Sequence, residues 1–415
     1  MSIEPIYILG GHQTDFTRNW SREDKAIYDL FEHAIQSGLE STGLDAQEVD
    51  VGHVANFEGS LYTGQSHLGG FFGHVDPAMR YLPASRHEAA CASGSMAILA
   101  AMADLESQRY ELACVVGIEL MRPKLDDKLD RLQGASFVGK EWTDANYVWP
   151  RAFSDMIDAY GQRFGIDKRH LSAISEKNFS NAKSNPNSQS RHWEFNPIAF
   201  QATDKLPRHD KENPVIEGNI RRLDCGQITD GAATIFLATE SRAKQYASEH
   251  GKNLEDIPRI KGWGHINAPM AFNHKLQLGA QTPYLLPHVN TLFTQTLGRA
   301  NLSSIHDIGG MEVHDCFNIT EYMILDHAGL VEPGKIWKLI ERNYFDKNGT
   351  LPVNASGGLI GLGHPVGATG VRMALDCFKQ TSGQAGETQI KNANNMMTFN
   401  LGGSTTTCAS LIIGT

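Results

Sequence analysis

Apolar residues along the chain alternate between helical spacing and continuous runs. Residues 24–43 (DKAIYDLFEHAIQSGLESTG) carry apolar side chains at helical spacing and stop at Gly43, which predicts a helix. Residues 95–106 predict a second helix, and the apolar run ELACVVGIEL after it predicts a strand buried on both faces. Helices that alternate with buried strands are typical of an α/β layered fold.

The composition of the chain changes between residues 121 and 225, where Asn, Arg, Lys, Trp and Pro become frequent. The pattern of this segment predicts helices and long loops. The α/β pattern resumes with the strand-like DGAATIFLATE and the helical SRAKQYASEHG. We therefore predict an N-terminal half formed by residues 1–120 and 226–270, an inserted loop domain at 121–225, and a C-terminal half at 271–415.

The first residues, MSIEPIYILGGHQTDF, predict a short strand and a glycine turn rather than a leader segment. No apolar run approaches the roughly 18 residues that span a membrane. The net charge of −10 argues against nucleic acid or an anionic membrane as the main partner. Six scattered cysteines without a CxxC pair indicate reduced thiols. We expect a soluble cytoplasmic protein of enzyme size.

Two segments correspond weakly with each other and suggest a duplicated α/β unit. Cys91 opens C-A-S-G-S-M-A and His364 opens H-P-V-G-A-T-G-V-R-M-A-L, so each reactive side chain precedes a glycine at a predicted helix start. Cys91 is either a buried core residue or a nucleophile. The helix start favours a thiolate, and the alanines around Cys91 leave room for a substrate. HEAAC lacks the second histidine of a zinc HExxH motif.

The glycine-rich segment SGGLIGLGHPVGATG at 356–370 predicts an ordered, tightly packed turn that leads into a helix. Its spacing fits a dinucleotide fingerprint poorly. Pro365 holds His364 extended, and the following helix start disfavours an imidazolium. A neutral imidazole beside a thiol is a common way to activate a cysteine nucleophile.

Two further segments place reactive groups after predicted strands. GGMEVHDCFN ends a strand with His314, Asp315 and Cys316, which is an active-site position in α/β folds but an incomplete metal site. FNLGGSTTTCASL contains Gly402 and Gly403, which either form a tight turn or present backbone N–H groups to an oxyanion.

Together, these four segments resemble the thiolase family, in its order along both halves of the chain. HEAACASG resembles the nucleophile segment, and GHPVGATG resembles the histidine segment. Conventional thiolases carry N-E-A-F where this chain has H-D-C-F, which resembles the sterol-carrier-protein type, as does YGQRFGI in the insertion. Conventional thiolases also carry a C-x-G segment, where this chain has Asn400-Leu401-Gly402 and lacks the cysteine.

The resemblance implies an αβαβα five-layer sandwich of two similar halves, with the loop domain over the active site. It implies that Cys91 accepts the acyl group, that His364 activates it, and that Cys316 is the acid/base at the substrate α-carbon. His314 would help to hold the enolate oxygen. The N–H groups of Cys91 and Gly402 would form the second oxyanion hole.

The activity implied is that of an acyl-CoA thiolase or acetyl-CoA acetyltransferase, with coenzyme A as substrate and neither a metal nor a permanently bound cofactor. A homodimer or homotetramer is implied as well. Three alternatives stay open: a decarboxylating Cys-His-His condensing enzyme, a retro-aldol acyl-CoA lyase, and a non-catalytic acyl-CoA-binding subunit. Arg191, Arg221 and Arg222 are either contacts for the coenzyme A phosphates or solvated surface charges.

Overall fold

The computed structural model describes residues 4–122, 137–138, 141–201 and 207–415. Parts of the predicted loop domain, residues 123–136, 139–140 and 202–206, lie outside the described residues. The three domain boundaries stay predictions.

The described residues form strands β1 Ile6–Gln13, β2 Val51–Ala55, β3 Ala84–His87, β4 Leu112–Glu119, β5 Val215–Glu217, β6 Ile220–Arg221, β7 Gly231–Ala238, β8 Arg259–Asn267, β9 Gly310–Val313, β10 Asn395–Gly402 and β11 Thr407–Gly414. Nine of these strands form one mixed sheet with the order β3-β2-β4-β7-β1-β8-β11-β10-β9. The other two, β5 and β6, pair in a small hairpin.

The α-helices of the described residues differ widely in length. They are α1 Ile27–Thr42, α2 Gly59–Thr63, α3 Phe72–Val75, α4 Ser93–Glu106, α5 Val148–Phe164, α6 Lys168–Ala182, α7 Pro207–Glu212, α8 Glu240–Glu249, α9 Phe272–Gly279, α10 Pro287–Arg299, α11 Asn318–His327, α12 Trp337–Ile340 and α13 Thr369–Thr381.

The large sheet consists of two halves joined at a narrow seam, where β1 pairs with β8 only through Ile6–Ile260 and Tyr7–Arg259. Helices α4 and α13 pack against each other and against strands of both halves. Helix α1 covers the first half and α10 covers the second. The predicted α/β architecture of layered helices and sheet is confirmed.

Several predicted elements occur where the sequence pattern put them. Helix α1 ends at Gly43, whose φ of 73° is left-handed and whose N–H donates to the carbonyl of Leu39. Every residue of β4 is buried, as its continuous apolar run predicts. The glycine-rich segment before α13 is buried throughout, so it is an ordered turn.

The predicted glycine turn near the N-terminus is wrong. Strand β1 continues through Gly10 and Gly11 to Gln13, with an irregularity in its pairing to β7 at Gly10. Gly10 has a φ of 136°, and a Cβ at Gly11 would collide with the carbonyl of Thr234. The glycines therefore allow a bulge and a close strand approach rather than a reversal.

The two central helices meet at glycines close to their N-termini. A Cβ at Gly94 of α4 would lie 2.6 Å from the backbone nitrogen of Val371 and 2.7 Å from that of Gly370. A Cβ at Gly370 of α13 would collide with the backbone nitrogen of Ser95 and lie 2.8 Å from the carbonyl carbon of Gly94. Only glycines permit this approach, because backbone atoms cannot move aside as a flexible side chain can.

No helix in the described part of the chain is both long and apolar enough to cross a membrane.

We predict that Gly94→Ala lowers the free energy of unfolding by about 1–3 kcal/mol, because the added methyl group overpacks against the backbone of α13. Gly298→Ala in α10 is the matched control. Gly298 is helical with open space around it, so alanine should stabilise the protein by roughly 0.5–1 kcal/mol. Urea unfolding measures both changes. A Gly94→Ala protein as stable as the parent would contradict this account of the helix contact.

Candidate active site

Cys91 lies in a sharp turn between strand β3 and helix α4. The preceding Ala90 has a φ of 51°, a left-handed conformation that is strained for alanine. Ser93, the first residue of α4, holds the turn: its Oγ donates to the Ala90 carbonyl at 2.6 Å and accepts from the Ala89 N–H at 2.9 Å. Cys91 therefore stands two residues before the helix, as the sequence pattern predicts.

The Cys91 sulfur is buried, with a relative exposure of 6% for the residue. Burial raises the pKa of the Cys91 thiol to about 12, although hydrogen bonds from the Gly403 and Cys91 backbones act in the opposite direction. The resting group is thus a neutral thiol. The expected stabilisation of a thiolate by the helix start is outweighed by desolvation.

His364 follows Gly363, whose φ of 125° few residues other than glycine adopt. His364 Nδ1 lies 2.7 Å from Thr369 Oγ1, and that hydroxyl donates to the Pro365 carbonyl at 3.3 Å. Because the hydroxyl proton is used on Pro365, Thr369 accepts from Nδ1–H and leaves Nε2 unprotonated. Burial, with a smaller contribution from Arg372, lowers the pKa of His364 to about 3, so the expected neutral imidazole is present.

His314 follows β9 directly and is fully buried. Its Nδ1 lies 3.0 Å from Asn400 Nδ2, while Nε2 is buried without a hydrogen-bond partner among the described residues. Burial, followed by the nearby His364 and Arg372, holds the pKa of His314 well below its ordinary value. The two imidazole rings meet edge to face with centroids 5.2 Å apart.

Cys91, His314 and His364 form one cluster. The Cys91 sulfur and one nitrogen of each imidazole lie within 4.8 Å of one another. A substrate carbonyl attached to the sulfur would therefore be within reach of both rings. A thiol and two imidazoles are also donor types of zinc sites; the absence of a metal stays a prediction of the sequence.

Cys316 joins this cluster on the wall of a cavity of about 490 Å³, which Cys91 and His364 also line. Burial, then the nearby Cys91 and Asp315, holds the pKa of the Cys316 thiol well above its usual range. The thiols of Cys91 and Cys316 are therefore both neutral and line the same cavity. The Cys316 carbonyl accepts from the Gly226 N–H at 2.7 Å, which fixes the segment that carries the thiol.

The cavity wall is mainly apolar. It includes residues from the predicted insertion, among them residues 147–150, 216 and 225. The side chains that line it, besides the three reactive ones, include Phe57, Met121, Tyr147, Trp149, Ile216, Cys225, Phe317 and Val366. An apolar wall of this kind suits an acyl chain or the pantetheine arm of an acyl carrier.

Asp315 forms hydrogen bonds to the backbone of the glycine-rich segment that carries His364. Its carboxylate accepts from the N–H groups of Leu359 and Ile360, at 2.6 and 3.1 Å, and from Asn178 Nδ2 at 2.8 Å. The middle residue of His314-Asp315-Cys316 thus holds the glycine-rich segment in place.

Glu119 is a second buried support, and sequence reasoning missed it. Its carboxylate accepts from the N–H groups of Phe57 and Gly367, both at 2.9 Å, and from Glu58 N–H and Asn56 Nδ2, both at 3.0 Å. It therefore ties the loop after β2 to the turn after His364. The available signal was a carboxylate at the end of the apolar run that forms β4.

Gly402 lies at the end of β10, against the Cys91 turn. A Cβ there would collide with the carbonyl of Ala89, so glycine permits the close packing. The Gly403 backbone hydrogen bonds to the Cys91 sulfur. The oxyanion role of Gly402 stays a prediction, and Gly403 N–H is an additional donor at the site.

The three arginines named as candidate phosphate contacts all bind the protein itself. Arg191 pairs with Asp15 at 2.8 Å, Arg221 pairs with Asp210 at 2.7 Å, and Arg222 donates to the Glu212 carbonyl at 3.0 Å. These contacts favour a structural role for each.

Two family models match the chain. The model "Thiolase, N-terminal domain" matches residues 6–241, and "Thiolase C-terminal domain-like" matches residues 294–415. Among curated proteins, the chain is 26% identical over 413 residues to an acetyl-CoA acetyltransferase of Methanothermobacter thermautotrophicus, which covers 98% of both proteins. It is 24% identical over 417 residues to sterol carrier protein 2 of Homo sapiens, which covers 97% of this chain and 70% of that protein.

Solved structures share the fold at lower identity. A structure titled "Ltp2-ChsH2(DUF35) aldolase" superposes with a TM-score of 0.76 at 16% identity, covering 100% of this chain and 98% of that one. Human mitochondrial 3-ketoacyl-CoA thiolase superposes with a TM-score of 0.69 at 15% identity, covering 100% and 99%. The same enzyme in complex with CoA gives 0.68 at 16% identity, covering 99% and 98%. Since the two family models together span most of the sequence, the chain belongs to the thiolase family.

Proposed function

We propose that this protein is an acyl-CoA thiolase of the acetyl-CoA acetyltransferase type. It cleaves 3-ketoacyl-CoA with coenzyme A, or condenses two acyl-CoA molecules, through an acyl group on Cys91. The observation that carries the proposal is the cluster of Cys91, His314 and His364 within 4.8 Å, of which Cys91 and His364 line a mainly apolar cavity together with Cys316. Coenzyme A enters as a substrate.

The first step follows from the neutral resting state of the cluster. The Cys91 sulfur attacks the 3-keto carbon, and its proton passes to the unprotonated Nε2 of His364, which Thr369 orients through Nδ1. Backbone N–H groups around Cys91 stabilise the developing oxyanion. The bond between C2 and C3 then breaks, which leaves an acyl group on Cys91 and the enolate of the departing acyl-CoA.

The second step needs an acid and an oxyanion donor. The Cys316 thiol protonates the enolate carbon, and His314 Nε2–H donates to the enolate oxygen. Incoming coenzyme A then gives its thiol proton to the Cys316 thiolate and attacks the acyl group. The bond between the acyl group and the Cys91 sulfur breaks, His364 returns its proton to that sulfur, and a shortened acyl-CoA leaves. Condensation is the reverse sequence, in which Cys316 removes the α-proton. Each proton transfer contributes roughly 10²–10⁴-fold.

The names of the relatives support the same reaction class, since acetyl-CoA acetyltransferases match along nearly the full chain and a fold neighbour carries CoA. The cytoplasmic location and the homodimeric or homotetrameric assembly stay predictions.

A retro-aldol acyl-CoA lyase is the second candidate. The aldolase structure, with a TM-score of 0.76, supports it. Retro-aldol cleavage releases an aldehyde or ketone and leaves no acyl group on Cys91. A decarboxylating condensing enzyme would also use Cys91, His314 and His364, but it creates its carbanion by losing CO₂. It therefore has no need of Cys316 as an α-carbon base.

We expect acetyl-CoA to acetylate Cys91 and no other cysteine, because this sulfur shares the cluster with His364. Peptide mass spectrometry after a brief incubation measures the added acetyl group, and Cys408→Ser serves as the matched control at another buried cysteine. Cleavage of a 3-hydroxyacyl-CoA side chain without any modification of Cys91 would favour the retro-aldol lyase instead.

We expect the free enzyme to react slowly with iodoacetamide at neutral pH, because burial raises the pKa of the Cys91 thiol to about 12. A raised thiol pKa means that the neutral form dominates below it. The alkylation rate of the Cys91 peptide should therefore rise about tenfold per pH unit between pH 7 and 10. A plateau with a midpoint near pH 8 would contradict the neutral resting state.

We expect Cys316→Ala to separate the two half-reactions. Acetylation of Cys91 in a single turnover should persist, since it needs Cys91, His364 and the backbone donors. Exchange of acetyl-CoA methyl protons with heavy water, and steady-state thiolysis, should fall on the order of 10²-fold or more. Cys225→Ala, which changes another thiol on the cavity wall, is the control. Methyl exchange at the parent rate would remove Cys316 from the mechanism and favour the decarboxylating alternative.

A further inference from the structure

Asn400 stands in β10 at the position where the resemblance leads one to expect an acid/base cysteine. It is fully buried, and both ends of its side-chain amide are hydrogen-bonded. Asn400 Nδ2 lies 3.0 Å from His314 Nδ1, and Asn400 Oδ1 accepts from Ser95 Oγ at 3.0 Å. A chain of hydrogen bonds thus runs from helix α4, through the last part of β10, to the histidine that follows β9.

The chemistry of the Asn400 amide fixes which groups donate and which accept in this series of hydrogen bonds. The NH₂ group of an asparagine only donates, and its carbonyl oxygen only accepts. Because Ser95 donates to Oδ1, the NH₂ group faces His314 and Nδ1 must accept with a lone pair. The pKa of buried His314 is held low, so the ring is neutral and carries its single proton on Nε2.

This tautomer matters because it places the proton on Nε2 of His314. In the described part of the chain, the buried Nε2 has no hydrogen-bond partner, and its ring belongs to the Cys91–His364 cluster. An unpartnered buried N–H is costly and calls for an explanation. A substrate oxygen that acquires negative charge would satisfy this donor.

We propose that Asn400, aligned by Ser95, is a positioning residue that fixes His314 in its Nε2–H tautomer and thereby turns the ring into a donor for the enolate oxygen. The enolate part of this inference rests on the proposed function; the tautomer part rests on the hydrogen bonds alone. In the opposite tautomer a bare Nε2 lone pair would face the enolate oxygen and repel it.

The tautomer can be measured without any substrate. Nitrogen-15 NMR of histidine-labelled protein distinguishes Nδ1–H from Nε2–H, and the signal missing in His314→Asn assigns the ring. We expect Nε2–H in the parent protein. In Asn400→Asp, the carboxylate can only accept, so a proton should appear on Nδ1. A parent His314 protonated on Nδ1 overturns the proposal even if Asn400→Asp does not fold, and so does an Asn400→Asp variant whose Nδ1 stays bare.

A matched control tests whether any buried polar change in β10 has this effect. Thr398 lies two residues before Asn400 on the same strand, is also buried, and hydrogen bonds to the neighbouring β11 through the Leu411 N–H. Thr398→Ala should leave the His314 signals unchanged. A tautomer shift in Thr398→Ala as large as that in Asn400→Asp would assign the effect to the strand and overturn the role of Asn400.

A double-mutant cycle tests the consequence for catalysis. Asn400→Ala should slow methyl-proton exchange by about 10²–10³-fold, the usual cost of losing an oxyanion donor, and slow single-turnover acetylation of Cys91 far less. In a His314→Asn background the same substitution should cost only a few-fold, because an amide has no tautomer to select. Equal losses in both backgrounds would overturn the catalytic part. Absence of both acetylation and exchange in the parent would instead refute the proposed function and leave the NMR result to stand by itself.

Discussion

The close approach of helices α4 and α13 is the constraint on which the candidate active site depends. Gly94 and Gly370 let the two helix starts touch through backbone atoms. Cys91 stands two residues before α4, and His364 stands two residues before the 3₁₀ turn that leads into α13. Cys91 and His364 belong to different halves of the fold. The contact between Gly94 and Gly370 therefore also brings the Cys91 thiol close to the His364 imidazole.

Burial sets the protonation states of the side chains in the candidate site. It favours the neutral forms of Cys91, Cys316, His314 and His364. Beneath the histidines, the buried Arg372 is neutralised by carboxylates, with Glu312 at 2.9 Å and Asp376 at 2.8 Å. Charge therefore appears in the cluster only when a substrate reacts, in a setting where hydrogen bonds to that charge are strong. The sequence favours a thiolate because a helix start can be predicted from local residues, whereas the burial of this one thiol depends on contacts between distant segments.

The sequence patterns that were read correctly are local ones. The helix ending at Gly43, the buried run of β4 and the four motif segments each depend on residues close together in the chain. The features that were missed depend on contacts between distant segments. Glu119 binds the loops that follow β2 and His364. Position 11 must be glycine because the carbonyl of Thr234, on a neighbouring strand, leaves no room for a Cβ. Neither partner can be identified until the strand order is known.

Three of the departures from the conventional thiolase pattern, at positions 314, 316 and 400, make physical sense as one linked set. A conventional asparagine at position 314 would donate through an NH₂ group that needs no neighbour to set its protonation. A histidine at that position donates from Nε2 only if something else occupies Nδ1 as a donor, and Asn400 Nδ2 lies 3.0 Å away. Once asparagine occupies position 400, the thiol of the conventional C-x-G segment is lost from β10. Under the proposed function, Cys316, which lies two residues after His314 and lines the cavity with Cys91 and His364, is then the thiol that moves the α-carbon proton.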